Sequence, residues 1–315
     1  MTLTSLLPEL AAHETGSCLV TRGQTALLTY YREEHMADSL AKINSCTKSI
    51  LSALICIAID REILPHWDTP ISTFFPALLQ SSDKRKREIT IAHLLTMSAG
   101  FRWNEFGGLN SFPVMTKQPD WVSHVLELPM ADSPGTVMVY NSGCSQLLSA
   151  ILRQASGLST AEFAERYLFG PLGIQNYSWE TDPGGNHTGG FGLKLTPPDM
   201  LKFGQLFLAQ GIWEGQELLS REIVQQALKP ALTATAPVQA EYGWHWWISE
   251  ITGETAAGAA VSLPYFYALG FGGQYIAVVP GLEVTAVVTF DKIKRRSQQV
   301  HIFRTLIAPL LLRTL

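Results

Sequence analysis

A serine and a lysine three residues apart form the first pattern in this chain that could support a reaction. On a helix the two side chains lie one turn apart on the same face, so the amine can accept the hydroxyl proton and activate the serine as a nucleophile. The pattern occurs three times, with its serines at Ser39, Ser45 and Ser81. Sequence context therefore has to separate a reactive pair from coincidences.

The surroundings of the three pairs differ. Ser39 and Ser81 lie in polar segments that offer no apolar surface to desolvate a lysine, and we interpret both pairs as surface coincidences. Ser45 and Lys48 open directly into the apolar run SILSALICIAI. This places Ser45 at a predicted helix start, where free N–H groups favour a developing anion, and predicts that burial lowers the pKa of Lys48. Taken alone, a helix-capping Ser45 and a lysine stem on apolar surface explain the pair equally well.

Two later segments favour the reactive interpretation. Tyr140 follows a Pro-Gly turn and opens an apolar helical pattern, so it could present a phenol at a cleft; a buried tyrosine bonded to backbone is the alternative. Residues 268–274 (ALGFGGQ) are glycine-dense where a predicted strand begins. Such a segment suits close approach of substrate and a backbone oxyanion hole, although a β-bulge or tight turn needs the same glycines.

Ser145, in GCSQL, is a rival nucleophile. The pattern ends in leucine where the G-x-S-x-G elbow of α/β-hydrolases has glycine, and the surrounding chain lacks βαβ alternation. We therefore expect neither Ser145 nor the adjacent Cys144 to be catalytic.

The elements that must position these residues follow an α+β pattern. β-rich runs predict hairpins at residues 17–31 and 274–290, followed by a closing helix at 300–312. Helical patterns lie between them at residues 48–60, 91–97, 121–126, 144–155, 160–167 and 198–209. We predict an antiparallel sheet built from both chain ends and flanked by helices, with an inserted, mainly helical region. The sheet region would comprise residues 1–65 and 185–315 and the inserted region residues 66–184, in one structural unit with the active site between them.

The composition excludes several classes of protein. A chain with 46% hydrophobic and 16% charged side chains should form a large core, and its net charge of −4 argues against nucleic acid as a partner. The longest apolar run, residues 50–59, is about half of the roughly 20 residues that a membrane helix needs. Residues 1–16 lack a signal-peptide pattern, so we predict a cytoplasmic protein with no membrane partner. The four cysteines and eight histidines show no metal-ligand spacing, and no metal or other cofactor is predicted.

The three candidate segments, in this order and spacing, resemble the serine β-lactamase-related superfamily, which includes penicillin-binding proteins, class C β-lactamases, related esterases and 6-aminohexanoate-dimer hydrolase. Besides INSCTKSI around Ser45, the resemblance includes ITIAHLLTMSAGF, PGTVMVYNSG, LFGPLGI, GGFGLKLTPPDMLKFGQLFLAQG and ALGFGGQYIAVVP. It runs over most of the chain and implies the β-lactamase and penicillin-binding-protein fold.

The resemblance implies a role for each matching residue. Ser45 would be the nucleophile, and Lys48 would accept or relay its proton. Tyr140 would act as general base and acid, with its phenolate stabilised by Lys48. The backbone N–H groups of Ser45 and Phe271 would form the oxyanion hole. An unperturbed tyrosine has a pKa near 10, so it needs an adjacent cation to act as a base near neutral pH.

Two departures from the superfamily motifs bear on the substrate. Ser142 stands where the Tyr-x-Asn motif has asparagine, and Ala268-Leu269-Gly270 aligns with the Lys-Thr-Gly motif, so the cation and hydroxyl that hold a β-lactam carboxylate are missing. We take Ser142, Leu269 and Gly270 as candidate substrate-binding residues. Aromatic side chains that could line an apolar pocket are Trp103, Tyr242, Trp244, Trp246, Trp247 and Phe271, of which we single out Trp103 and Trp244.

We expect a serine hydrolase that opens small ester or amide substrates through an acyl-Ser45 intermediate and requires no cofactor. A non-catalytic or slowly acylating penicillin-binding-like sensor is one alternative, suggested by the altered motifs at Ser142 and Leu269. A D-amino-acid peptidase or β-lactamase is another, and it would require export and a carboxylate clamp. The sequence leaves the acyl group, the leaving group and the oligomeric state open.

Overall fold

A computed structural model describes residues 3–291 and 302–315 of the chain. Longer strands occur near both ends, and short strands lie between them. The strands are β1 (Ser17–Arg22), β2 (Thr25–Tyr31), β3 (Ala41–Lys42), β4 (Tyr177–Trp179), β5 (Leu193–Leu195), β6 (Ile212–Trp213), β7 (Gln216–Glu217), β8 (Leu232–Ala234), β9 (Ala240–Tyr242), β10 (Trp247–Glu254), β11 (Ala260–Gly270), β12 (Gln274–Val279) and β13 (Val284–Thr289).

Eight of these strands form one antiparallel sheet in the order β2-β1-β13-β12-β11-β10-β9-β8. β1 pairs with β13 along its whole length, from Ser17 opposite Thr289 to Arg22 opposite Val284. The buried hydroxyls of Ser17 and Thr289 hydrogen-bond across this pair at 2.7 Å. The prediction of an α+β fold whose antiparallel sheet is built from both chain ends is therefore confirmed.

The sequence patterns did not predict the longest hairpin of the sheet, β10 with β11. Trp247 lies opposite Tyr267, and Glu254 lies opposite Ala260. β11 is exposed on one face over its first half, whereas four consecutive side chains from Tyr265 onward are buried. Because one face of β11 is exposed in its first half and both faces are buried from Tyr265 onward, the strand shows no single hydrophobic period.

The helices agree well with the predicted patterns. They are α1 (Leu7–Ala12), α2 (Thr47–Asp60), α3 (Ile91–Leu95), α4 (Phe112–Met115), α5 (Trp121–Glu127), α6 (Ser142–Ser156), α7 (Thr160–Ala164), α8 (Pro197–Leu208), α9 (Arg221–Ala227) and α10 (Ala308–Leu312). The six predicted helices correspond to α2, α3, α5, α6, α7 and α8. Their ends differ by at most two residues except at α7, which continues as a π-helical turn, Glu165–Phe169.

The predicted closing helix is described from residue 302 onward, where a π-helical turn, Phe303–Ile307, precedes α10. Its first two residues, 300 and 301, lie outside the described part of the chain. Over the described residues no helix has the length and apolar character that a membrane span requires.

Helices α3 to α7 fall within the predicted inserted region, residues 66–184. β4 lies there too and pairs with β5, which belongs to the predicted sheet region, and β5 also pairs with β3. A small three-stranded sheet thus links the two regions, and their boundaries stay a prediction.

Helices α2 and α6 pack against each other, and each begins within two residues of a candidate catalytic residue, Ser45 or Tyr140. Every residue of α2 from Thr47 to Ala58 is buried. A helix that is enclosed on all sides carries apolar residues around its whole circumference, which explains the unbroken apolar run after Lys48.

Gly204 lies where α8 packs on the sheet. A Cβ atom there would lie 2.6 Å from Thr285 Cγ2 and 3.0 Å from Ile276 Cγ2. We expect Gly204→Ala to lower the free energy of unfolding by about 1–3 kcal/mol, because overpacking outweighs the better helix propensity of alanine. Gly281→Ala is the control, since its Cβ would meet Leu263 Cδ2 at an ordinary 3.5 Å. Urea unfolding measures both variants, and wild-type stability of Gly204→Ala would contradict the tight contact.

Candidate active site

Ser45 lies in a 3₁₀ turn, Asn44–Cys46, that leads directly into α2. Asn44 has a positive φ of 48°, a left-handed conformation that asparagine adopts more readily than most residues. Its side-chain amide donates to the carbonyl oxygen of Phe271 at 2.6 Å. The Thr47 hydroxyl donates to the carbonyl oxygen of Asn44, also at 2.6 Å. Hydrogen bonds of Asn44 and Thr47, which lie on either side of Ser45 in the chain, thus stabilise this turn.

Gly270, the last residue of β11, allows this strand to approach the Ser45 turn. A Cβ atom at Gly270 would lie 2.3 Å from the carbonyl oxygen of Ile43, so a larger residue would have to displace backbone. The predicted close approach at this glycine is made by the protein's own backbone. Phe271 consequently lines the same cavity as Ser45. The assignment of the Ser45 and Phe271 N–H groups to an oxyanion hole stays a prediction.

Lys48 is buried, with 2% of its surface exposed. Its Nζ lies 3.1 Å from Ser45 Oγ, 3.0 Å from Ser142 Oγ and 2.8 Å from the carbonyl oxygen of Gly190. A Cβ atom at Gly190 would lie 3.0 Å from Nζ, so a glycine lets this loop come close to the lysine. Three oxygen atoms match the three N–H donors of an ammonium group.

Burial lowers the pKa of Lys48 from its ordinary value to about 8, and the nearby Glu105 carboxylate opposes part of this shift. The cause is loss of hydration, which disfavours the ammonium form over the neutral amine. Near pH 8 Lys48 can therefore exchange a proton with a neighbouring group. The neighbouring hydroxyls are those of Ser45 and Ser142.

Tyr140 lies beside Ser45 and Lys48, just before α6. Its ring stacks on Trp247 with centroids 5.8 Å apart, and Lys48 Nζ lies 4.9 Å from the ring centroid. Burial raises the pKa of Tyr140 well above its ordinary value, and Glu105 raises it further. A hydrogen bond with the Ser45 side chain lowers the pKa only in part. These contributions together favour the phenol over the phenolate, and the assignment of Tyr140 as general base and acid stays a prediction.

Glu105, which the sequence patterns did not single out, joins several site residues. Its Oε2 accepts hydrogen bonds from the Ser142 backbone N–H at 2.9 Å and from Trp103 Nε1 at 2.8 Å. Its Oε1 accepts a short hydrogen bond from the Ser142 hydroxyl. Glu105 lies in an irregular loop, and Ser142 follows 37 residues later, so no local spacing relates the two residues.

Asn141 and Ser142, at the start of α6, have different roles. Asn141 Oδ1 accepts hydrogen bonds from the N–H groups of Gly143 at 2.7 Å and Cys144 at 3.3 Å, so this side chain caps the helix. Ser142 contacts Lys48 and lines the cavity. The departure from Tyr-x-Asn thus places a hydroxyl, instead of an amide, at the lysine.

Ser145, the rival nucleophile, is fully buried, and its hydroxyl hydrogen-bonds His245 Nε2 at 3.0 Å. Burial, assisted by Lys48, lowers the pKa of His245 to about 3, so the imidazole stays neutral. Neither residue lines the cavity at Ser45. Cys144 is also buried, which raises the pKa of its thiol. These residues are therefore not placed to attack a substrate in that cavity.

Ser45 and Tyr140 line a cavity of about 370 Å³ with a mostly apolar wall. The lining residues are Asn44, Ser45, Glu105, Phe106, Phe112, Tyr140, Ser142, Phe191, Pro237, Trp247, Leu269, Gly270 and Phe271. They include Ser142, Leu269 and Gly270, which were predicted as substrate-binding residues, and this described part of the lining contains no lysine or arginine.

The two tryptophans predicted to bind substrate lie outside this lining. Trp103 is 8% exposed, and its ring N–H donates to the Glu105 carboxylate, so it orients Glu105 without lining the cavity itself. Trp244 is buried in the core, where its ring packs edge-on against Trp67 with centroids 5.4 Å apart. Of the six aromatic candidates, Trp247 and Phe271 reach the cavity.

The histidine, cysteine, aspartate and glutamate side chains of residues 3–291 and 302–315 include no group of three or more that could hold a metal ion. All four cysteines are buried free thiols.

Comparison with solved structures identifies the class of fold. A penicillin binding protein from Bacillus halodurans has a TM-score of 0.72 at 19% identity, over 97% of this chain and 99% of that chain. A candidate 6-aminohexanoate-dimer hydrolase from Bacillus anthracis has a TM-score of 0.77 at 20% identity, over 93% of this chain and 78% of that chain. The fold is that of β-lactamases and penicillin-binding proteins.

The model of the Beta-lactamase family matches residues 9–306, nearly the whole chain, and the protein belongs to this family. Among curated proteins, the unguisins hydrolase ungD of Aspergillus violaceofuscus is 26% identical over 146 residues, which are 44% of this chain and 26% of that protein. This chain thus spans about a quarter of the length of that relative. The predicted resemblance to the β-lactamase-related superfamily is confirmed.

The left-handed backbone at Asn44 can be tested apart from its hydrogen bond. Asn44→Ala and Asn44→Gly both lose the donation to Phe271, but only alanine must hold a side chain at a φ of 48°. We expect the alanine variant to be less stable than the glycine variant by about 1–2 kcal/mol. Urea unfolding measures the difference, and equal stabilities would contradict backbone strain at this position.

Proposed function

We propose that the protein is a serine hydrolase that cleaves small esters or amides through a covalent acyl-Ser45 intermediate. The observation that carries this proposal is the 3.1 Å contact between the buried Lys48 amine and the Ser45 hydroxyl, beside an apolar cavity. A lysine whose pKa is about 8 can accept the serine proton near neutral pH, which a solvated lysine with a pKa near 10.4 does poorly.

In the acylation step, neutral Lys48 accepts the Ser45 proton while Oγ forms a bond to the carbonyl carbon of the substrate. The backbone N–H groups of Ser45 and Phe271 stabilise the oxyanion. Tyr140, which is protonated at rest, donates its proton to the leaving oxygen or nitrogen as that bond breaks. It then regains a proton from the Lys48 ammonium, so both side chains return to their neutral forms.

Deacylation follows the same route with water as the nucleophile. Neutral Lys48 accepts a proton from water as the water oxygen attacks the acyl carbon. The lysine then returns this proton to Ser45 Oγ as the carboxylic acid departs. The cycle requires no cofactor.

The cavity favours an uncharged, apolar substrate. Phenylalanine side chains occupy much of its wall, at Phe106, Phe112 and Phe191, and the lining residues within 3–291 and 302–315 include no lysine or arginine. A β-lactam or D-peptide carboxylate would therefore lack a charge-assisted partner. This argues against a β-lactamase or D-amino-acid peptidase and for esters or amides without a carboxylate near the scissile bond.

The names of two relatives agree with hydrolysis as the reaction, since one is a hydrolase of unguisins and the other a candidate hydrolase of the 6-aminohexanoate dimer. Neither substrate is carried over to this chain. The first relative matches over only 26% of its length, and the second shares 20% identity.

Replacing the nucleophile tests the covalent step. We expect Ser45→Ala to abolish both nitrophenol release and the acyl adduct from a short-chain p-nitrophenyl ester, a loss of at least about 10⁴-fold. Ser81→Ala, in another serine–lysine pair, should match the wild type. Time-resolved intact mass, read together with nitrophenol release, measures both. A single trapped adduct on wild-type protein without turnover would favour the sensor, whereas the absence of both nitrophenol release and an adduct would refute the mechanism.

The pKa of Lys48 predicts the pH dependence. The reactive form is the neutral amine, so kcat/KM should rise about tenfold per pH unit from acidic pH and level off above about pH 8. Lys48→Arg cannot supply a neutral amine and should be inactive at every pH, whereas Lys202→Arg, at a partly exposed ion pair with Asp199, should keep the profile. Rates are corrected with Ser45→Ala blanks. A profile that is flat between pH 6 and 9 would contradict Lys48 as the base.

A further inference from the structure

The hydrogen bonds of the two carboxylate oxygens of Glu105 determine the orientation of this side chain. Oε2 is held by two N–H donors, from the Ser142 backbone at 2.9 Å and the Trp103 ring at 2.8 Å. Oε1 receives the Ser142 hydroxyl in a short hydrogen bond. The carboxylate is thus fixed in orientation, with one oxygen assigned to N–H donors and the other to a hydroxyl.

This arrangement fixes the direction of the Ser142 hydroxyl. A carboxylate only accepts hydrogen bonds, so the single hydroxyl proton of Ser142 points to Glu105. Ser142 Oγ therefore presents a lone pair to Lys48 Nζ, 3.0 Å away. The carbonyl oxygen of Gly190, 2.8 Å from Nζ, can also only accept.

A neutral lysine amine has two N–H bonds and one lone pair. Because Ser142 Oγ and the Gly190 carbonyl both require a donor, they take the two N–H bonds, and the lone pair is left for the third contact, Ser45 Oγ at 3.1 Å. We propose that Glu105 is a positioning residue that acts through Ser142 to hold the lone pair of Lys48 on the Ser45 hydroxyl. This inference rests on the proposed function and names the group that orients its base.

The charge of Glu105 has a second effect, on the protonation of Lys48. The titratable groups around the lysine are Glu105, Cys46, Cys144, Tyr140 and His245. Of these, the Glu105 carboxylate makes the largest contribution that raises the pKa of Lys48. Burial disfavours the charged forms of the two thiols, the phenol and the imidazole. Neutralising Glu105 should therefore lower the pKa of Lys48.

Glu105→Gln reverses the hydrogen-bond direction without changing the shape of the side chain. The amide oxygen must take the Oε2 position, because two N–H donors meet there, so the NH₂ group faces Ser142 Oγ. Ser142 then accepts from Gln and turns its own proton toward Lys48. The lone pair of Lys48 is drawn to Ser142 and away from Ser45.

We expect Glu105→Gln to lower kcat by about 10²-fold with little change in KM, because general-base assistance is lost. The acid limb of the pH profile should move to lower pH by about one unit, because the negative charge is lost. If Glu105 had only a structural role, Glu105→Gln would lower the yield of folded protein, and the folded molecules would keep the acid limb of the wild-type pH profile.

A double variant shows whether Glu105 acts through Ser142. Ser142→Ala alone loses an acceptor for Lys48 and should lower kcat by about tenfold. In the Ser142→Ala background, Glu105→Gln has no hydroxyl to reverse, so the double variant should have about tenfold higher kcat than Glu105→Gln alone. The second substitution thus restores activity, which independent effects cannot do.

Glu165→Gln is the matched control, since Glu165 also accepts a hydrogen bond from a hydroxyl, that of Tyr177, away from the cavity. It should keep the wild-type kcat and pH profile. All variants are compared by p-nitrophenyl ester turnover, after near-ultraviolet circular dichroism has confirmed folding. Multiplicative losses in the double variant, or an unmoved acid limb in Glu105→Gln, would overturn the Glu105 proposal while Ser45-dependent turnover upheld the proposed function. Turnover that survives in Ser45→Ala would overturn both.

Discussion

An amine removed from water must replace the hydrogen bonds that it loses, and this requirement shapes the surroundings of Lys48. Three segments that are distant in sequence meet at its Nζ: the Ser45 turn, the start of α6 at Ser142, and the loop at Gly190. A Cβ atom at Gly189 would lie 2.0 Å from a backbone oxygen of α6, so the glycine pair allows the loop to reach the lysine. Two helices and a loop thus pack around one buried amine and supply its hydrogen-bond partners.

The same burial favours the neutral forms of Lys48, His245 and Tyr140 over their charged forms. It lowers the pKa of Lys48 and His245 and raises that of Tyr140. In the proposed reaction, a neutral ester or amide enters this site without having to displace a counter-ion. The oxyanion of that proposed reaction would carry its charge in a region of low dielectric, where fixed dipoles act more strongly than they do in water.

Local spacing predicted the parts of the structure that local geometry determines. The Ser45 and Lys48 pair was predictable because a three-residue spacing on a helix sets the distance between two side chains, and α2 and α6 because each carries a long apolar pattern. Glu105 was not predictable, since its role depends on a loop meeting the start of α6. Trp244 was wrongly predicted to bind substrate, because an aromatic side chain fits a core as well as a cavity. Only the fold decides between these two positions. The resting state of Tyr140 likewise depends on burial, which a motif does not report.

The sheet that joins both chain ends also determines when the site can be completed. Ser17 and Thr289, which bond across β1 and β13, are 272 residues apart, and Asn44 and Phe271, which bond beside Ser45, are 227 residues apart. Contacts of such long range give a high contact order, and folding of chains of this kind is slow. On the ribosome, α2 emerges long before β11 to β13 and has no sheet to cover its apolar faces. Ser45 is therefore synthesised early, whereas the cavity that it lines forms only when the last strands have been added.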